Sequence, residues 1–293
     1  MNNTYKKPRM IAEIGCNHKG DMDIAKEMIK MAAIYCKADI VKFQKRCVRE
    51  LLTKEQYDAP HPNPAFSYGA TYGKHREFLE FDLDQHRQLQ AWCNEYGIEY
   101  STSVWDLTSA KEIASLNPGL IKIPSACNNH TEMLTWLCEN YEGEIHVSLG
   151  MTKHAEEDAL VELFESKNRA KDVVLYNCTS GYPVPFEDIC LLEITRIREK
   201  FEGRVKEIGF SGHHLGIAVD IAAYTLGAST IERHYTLDRT WKGTDHAASL
   251  EPEGVRKLKR DLEATYKALT YKSQEVLPIE MVQREKLKYR KHE

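Results

Sequence analysis

The segment 209–252 gathers side chains able to do chemistry. His213 lies just beyond one strand-like run. Glu232 and His234 sit two residues apart on the next, and the polar run Lys242-Gly243-Thr244-Asp245-His246 follows. Residues two apart on a strand share a face, so Glu232 and His234 point the same way. Two imidazoles converging with carboxylates suit a divalent cation and an electrophile to be activated. Elsewhere Lys42 and Lys122 occupy strand-like runs, VKFQ and LIKIPS, where an uncompensated charge is costly to bury. Lys42 alone is equally readable as the partner of Glu13. Two strand lysines facing one cavity favour a site for a small anion, phosphate or carboxylate.

These residues need elements that bring them together. Short apolar runs at 10–15, 40–44, 99–103, 120–124, 145–149, 173–177, 207–211 and 230–234 read as strands. Helix-period segments lie between them at 22–33, 83–96, 108–116, 131–139, 155–166, 186–200 and 217–226, with an eighth from Pro252 to about 269. Eight such alternations predict an α/β fold of the (β/α)8 TIM-barrel type. A doubly wound open sheet is the alternative, without a glycine-rich turn after the first strand to support dinucleotide binding. Six strands carry polar residues near their C-terminal ends: Glu13; Lys42 and Gln44; Lys122 and Ser125; Ser148; Asn177; and Ser211 with His213, besides the Glu232–His234 pair on the eighth strand. In barrels of this type the site lies at that end. Each serine could merely satisfy backbone groups; their common location favours phosphate.

Some neighbours have competing readings. Cys16, just past the first strand, could be a third, softer metal ligand or a buried thiol. His18 is equally placed to cap the following helix, His214 reads as a bystander, and Trp92 and Trp136 read as packing. The connection 46–82 is far longer than an ordinary βα loop, and Pro60, Pro62 and Pro64 exclude a regular helix there, so it reads as a lid or binding loop. The charged segment 277–293 reads as a helical or frayed tail, and the whole chain, 1–293, as one catalytic domain.

Composition narrows the classes. A formal charge of −4 gives no basic balance for nucleic acid. Eight cysteines without a C-x-x-C pair suit a reducing cytoplasm. No apolar run is long enough to span a bilayer, and the first ten residues lack a signal-peptide core. The expectation is a cytoplasmic protein with small-molecule partners, no nucleic acid and no membrane.

The segments IAEIGCNHKGDMDIAKEMI, ADIVKFQ, KIPSA, SLGM, CTSGYPVPFEDICLLEI, GFSGHH, GASTIERHYTLDR and GTDHAASLEP resemble, in order and spacing, the sialic acid (N-acetylneuraminate) synthase family. The resemblance covers about residues 10–265. It implies condensation of phosphoenolpyruvate with N-acetylmannosamine or a related aldose, giving a nine-carbon 2-keto acid and phosphate with a divalent cation, manganese or magnesium. It makes His213 and His234 the metal ligands. It places Lys42, Lys122, Ser125, Ser148, Ser180 and Ser211 around phosphoenolpyruvate, Gln44, Tyr182 and Asp245 near the sugar, and Glu13 and Glu232 at the reaction centre. Ser180 stands where some members have asparagine, Gly212 where aspartate is usual, and Cys127 where a glutamate helps recognise the acylamino group. Members usually carry a C-terminal antifreeze-like domain, whose arginine reaches the sugar of a neighbouring subunit; none is expected in this sequence, and a homo-oligomer remains compatible with it. The acceptor is left open among N-acetylmannosamine, a diacetamido-trideoxyhexose and a 6-phosphorylated sugar. For the last, Lys74, His75 and Arg76 offer a basic site or simply a solvated charge run. Two readings compete with the synthase: another metal-dependent keto-acid aldolase or synthase, and an inactive barrel that binds a sugar acid.

Overall fold

Alternating strands and helices close on themselves. The computed structural model describes residues 5–289. Its strands are β1 (Arg9–Gly15), β2 (Ile40–Lys45), β3 (Glu99–Val104), β4 (Leu120–Ile123), β5 (Glu144–Ser148), β6 (Val173–Cys178), β7 (Glu207–Gly212) and β8 (Thr230–His234). All pair in parallel with their sequence neighbours, and β8 returns to β1. Closure excludes the open doubly wound sheet and leaves no strand edge exposed. Each strand lies within one residue of its predicted bounds.

The α-helices are α1 (Met22–Met31), α2 (Val48–Leu51), α3 (Lys54–Asp58), α4 (Tyr72–Leu79), α5 (Leu83–Tyr96), α6 (Leu107–Ala114), α7 (Thr131–Asn140), α8 (His154–Ser166), α9 (Glu193–Phe201), α10 (Ala218–Thr225), α11 (Pro252–Ala268) and α12 (Pro278–Leu287). The strands bury an outer apolar face against this helical layer; Val41, Phe43, Ile121, Ile123 and Val147 are fully buried there. Among the described residues no helix is long and apolar enough to cross a membrane.

One expectation needs correction and two gain detail. The predicted helix 186–200 is a 3-10 turn at Phe186–Asp188 followed by α9 from Glu193, because Cys190 takes a left-handed conformation (φ 51°) that breaks the run. The connection 46–82 is structured on both sides of its prolines: α2 and α3 precede them and α4 follows. In the charged tail α12 is formed, while residues 290–293 lie outside the described ones.

Inside the barrel, Ile11, Ile40, Leu120, Val174 and Tyr176 form a separate apolar plug. One inward step further toward the C-terminal strand ends are Glu13, Lys42, Lys122 and Glu232. Register fixes this layer: Glu13 lies opposite Lys42 and His234, Ser103 opposite Lys122, and Ser211 opposite Glu232. With an apolar layer beneath them, the charged groups face the C-terminal end of the barrel, where a polar ligand would enter.

Candidate active site

The charged layer is buried; none of its four side chains is more than 7% exposed. Lys42 Nζ contacts the Glu13 carboxylate, donates to Ser103 Oγ at 2.6 Å and lies 3.7 Å from Glu232. Lys122 Nζ donates to both Glu232 oxygens, at 3.1 and 3.0 Å, and rests 3.9 Å over the Tyr176 ring. Ser211 Oγ donates to Glu232 at 2.9 Å, and Gln44 Nε2 to Glu13 at 2.8 Å. The lysines are therefore not bare: two carboxylates balance them. Lys42 thus has the Glu13 partner that one reading gave it, and it also lines the cavity where the other would place an anion.

The two carboxyls differ sharply. Burial raises Glu13 to about 7, with Lys42 only partly opposing it. Burial would raise Glu232 too, but Lys122 and Lys42 outweigh it and hold that carboxyl well below the usual range. Burial also lowers Lys122. The site thus pairs an acid that exchanges its proton near neutrality with a carboxylate that stays ionised.

A cavity of about 280 Å³ opens above this layer. It is lined by Glu13, Lys42, Gln44, Lys122, Ser125, Ser148, Ser180, Tyr182, Ser211, His213, Glu232 and His234, so the structure brings these predicted site residues together. On one wall Gly150 N–H donates to Ser125 Oγ at 3.0 Å. A Cβ at Gly150 would come within 2.6 Å of Ser125 Oγ and 2.5 Å of Ser180 Oγ, so the close approach of these hydroxyls requires glycine. Two hydroxyls around a backbone turn, facing two ammoniums, match the donor chemistry of a phosphate site.

His213 and His234 stand on the rim with ring centroids 5.4 Å apart. His213 Nδ1 donates to the Thr179 carbonyl at 3.0 Å, and the same side chain hydrogen-bonds Cys178, whose thiol, against the effect of burial, is lowered by that contact. His234 Nδ1 is buried without a hydrogen bond, 3.9 Å from Asp245 Oδ2, and burial lowers this imidazole so that it is neutral. Tyr182 covers His213 at 4.4 Å and meets His234 edge-on at 5.7 Å. Two imidazoles beside an aspartate fit a divalent cation that keeps open positions. Among the described residues no cluster of three or more His, Cys, Asp or Glu side chains forms a complete ligand cage.

Cys16 does not join that pair. Its Sγ lies 3.6 Å from Arg46 Nη1 and 3.4 Å from Arg76 Nη2, and burial raises the thiol. The cap of α1 is Asp21, whose Oδ1 accepts from the N–H groups of Asp23 and Ile24; His18 is buried and stacks on Phe81 at 4.0 Å. His214 faces the other side of the sheet. There it joins Arg233 and Asp220 in a fully buried network, with Nε2 3.0 Å from Arg233 Nη1. Gly212 belongs to this arrangement, because a Cβ would meet the His214 ring at 2.8 Å.

Sequence reasoning missed Ser103, Trp105, Cys178 and Arg46. Ser103 and Trp105 continue the inward alternation of β3, and Arg46 follows Lys42 and Gln44 at the same spacing of two, so the period that found the lysines also reaches them. The reading of 74–76 as a solvated run holds for Lys74, which is exposed and paired with Glu77 at 2.8 Å. It fails for His75, which is buried, and for Arg76, whose side chain is 15% exposed.

The NeuB family model matches residues 28–274, most of the chain. The chain belongs to the NeuB family. The chain is 37% identical over 278 residues to the Homo sapiens N-acetylneuraminate-9-phosphate synthase, covering 95% of this chain and 76% of that protein. It is 32% identical over 265 residues to the N,N'-diacetyllegionaminic acid synthase of Campylobacter jejuni, covering 90% and 78%. Among solved structures it resembles the N-acetylneuraminic acid synthetase of Leptospira borgpetersenii in complex with citrate. That match has TM-score 0.80 and 26% identity over 97% of this chain and 94% of that one. This NeuB family member is therefore an enzyme of the sialic acid synthase type, as the resemblance implied, and its family relatives share the barrel.

Proposed function

We propose that the chain condenses phosphoenolpyruvate with an open-chain acylamino-hexose, N-acetylmannosamine or a close relative, to a nine-carbon 2-keto sugar acid and inorganic phosphate. The observation that carries this reading is the convergence of Lys42, Lys122, Glu13 and Glu232 beneath His213 and His234 in one cavity.

Lys42 and Lys122 neutralise the carboxylate and phosphate of phosphoenolpyruvate, exchanging their glutamate partners for stronger anions. Ser125, Ser148, Ser180 and Ser211 supply further hydrogen bonds. Gln44, Tyr182 and Asp245 orient the acceptor so that its C1 faces C3 of phosphoenolpyruvate. His213 and His234 would hold a divalent cation, Mn²⁺ or Mg²⁺, which supplies Lewis-acid polarisation of a carbonyl oxygen when bound.

The C3–C1 bond forms, Glu13 passes its proton to the aldehyde oxygen, and cationic character develops at C2. Glu232, kept ionised by two lysines, stabilises that charge. A water adds at C2, and Glu13 takes the proton it gives up, a role suited to a carboxyl raised to about 7. The tetrahedral adduct then breaks its C2–O bond to the bridging oxygen, phosphate leaves with that oxygen and the proton of the C2 hydroxyl, and the ketone remains. One water is consumed overall.

The relatives include an N-acetylneuraminate-9-phosphate synthase and an N,N'-diacetyllegionaminic acid synthase. Phosphoenolpyruvate supplies carbons 1–3 of such a product, so carbon 9 is carbon 6 of the hexose. Family membership alone therefore leaves the terminal group of the acceptor open. Phosphoenolpyruvate labelled with ¹⁸O in the C–O–P bridge tests the chemistry: the label should appear in phosphate. Label retained in the keto acid would exclude this mechanism.

A further inference from the structure

Beside the reaction centre a second cavity of about 200 Å³ shares Gln44, Trp105, Tyr182 and His234 with the first. Its far wall is built from two guanidiniums. Arg46, just past β2, lies 4.0 Å over the Trp105 ring and donates to Glu80 at 3.1 Å. Arg76, on α4, reaches the same Glu80 oxygen at 3.7 Å. Two cationic groups therefore share one carboxylate there, and the nearby Asp245 is turned to His234 and Thr244. Both guanidiniums also point an N–H at Cys16 Sγ, a weak acceptor, and Arg76 Nε is buried with no hydrogen-bond partner among the described residues. Arg46 Nη2 is taken by Gln44 Oε1, so the unmet demand lies with Arg76, whose buried donors on sulfur or on nothing are costly unless an anion completes them.

We infer that Arg46 and Arg76 form a subsite for a phosphate on the terminal carbon of the acceptor, making a 6-phosphorylated acylamino-hexose the preferred substrate. The inference rests on the condensation proposed above, because it places the acceptor's reacting end at His213 and His234 and its other end in this cavity. The connection 46–82 then acts in specificity: α4 carries Arg76 across the mouth, and Glu80 holds both guanidiniums in register. Two planar donors side by side suit the bidentate capture of a phosphate better than a single hydroxyl.

The test compares N-acetylmannosamine with its 6-phosphate in kcat/KM, using the full chain with Mn²⁺ and phosphoenolpyruvate. The phosphorylated sugar should be preferred by about 10- to 100-fold. Arg76→Met and, independently, Arg46→Met should bring that ratio toward one, whereas Lys74→Met, which removes the exposed ammonium two residues away, should leave it as in the wild type. A wild-type ratio near one, or a ratio untouched by both arginine variants, would overturn the subsite while leaving condensation standing. Calorimetric binding of the 6-phosphate without phosphoenolpyruvate reads the subsite even if nothing turns over. Binding weakened by Arg76→Met in a protein with no turnover would keep the subsite and remove the condensation reading, and no binding to the wild type would overturn the subsite itself.

Discussion

Glu232 sits between the two strand lysines, hydrogen-bonded to Lys122 at 3.0 Å and 3.7 Å from Lys42, with Ser211 donating to it from the side. Removing one member of a buried charge group leaves the rest uncompensated, at a cost of about 3–5 kcal/mol. Glu232→Gln should therefore lower Tm by on the order of 5–10 °C. Phosphoenolpyruvate or phosphate should restore more stability to the variant than to the wild type, because an anion can replace the lost carboxylate. Thermal denaturation with and without ligand checks this; an unchanged ligand-free Tm would show that Glu232 does not compensate the lysines.

Lys122→Met removes the ammonium that faces both Glu232 and the Tyr176 ring. Phosphoenolpyruvate affinity should fall by about 100-fold, as expected for a charge-assisted contact in a buried site. Calorimetric titration reads it directly, and unaltered affinity would remove this lysine from the anion site.

Glu13 gives a pH dependence with a definite sign. Its folded pKa, raised to about 7 by burial, exceeds the ordinary value of 4.5, so the folded state holds the proton more tightly than the unfolded chain. Its favourable contribution is complete below pH 4.5, falls as pH rises toward 7, and is gone above that. The span is on the order of 3 kcal/mol. The Tm difference between wild type and Glu13→Gln should therefore shift against the wild type across this window and level off above it. A pH-independent difference would contradict the raised pKa. Because phosphoenolpyruvate adds negative charge beside Glu13, binding near pH 7.5 should also take up more protons in the wild type than in Glu13→Gln.

His234→Ala removes one of the two rim imidazoles. Turnover should fall by about 10³-fold or more, and added Mn²⁺ should no longer stimulate it. Manganese titration followed by phosphate release provides the check. Retention of metal-stimulated activity would take His234 out of the ligand pair.

The fold was readable because parallel strands buried on both faces are apolar runs, and their polar exceptions mark the mouth of the barrel. Glu13, Lys42, Lys122 and Glu232 stood out for that reason. Ser103 did not, since a small neutral residue barely violates an apolar pattern. Arg46 hid beside Lys45 as part of an apparent charged loop. Arg76 was harder still: its burial depends on Glu80 and Cys16, contacts that arise only when α4 folds back over β2 and that no local period encodes. Similarly, the α9 start depends on a left-handed Cys190, which its residue type does not announce.

The most direct test of the central claim is phosphate release from phosphoenolpyruvate with Mn²⁺, measured with N-acetylmannosamine, with its 6-phosphate, without sugar and with chelator. The expected result is release that requires an aldose and is abolished by chelation. No aldose-dependent release from either sugar, or equal release from phosphoenolpyruvate alone, would contradict the assignment of this site to sugar condensation.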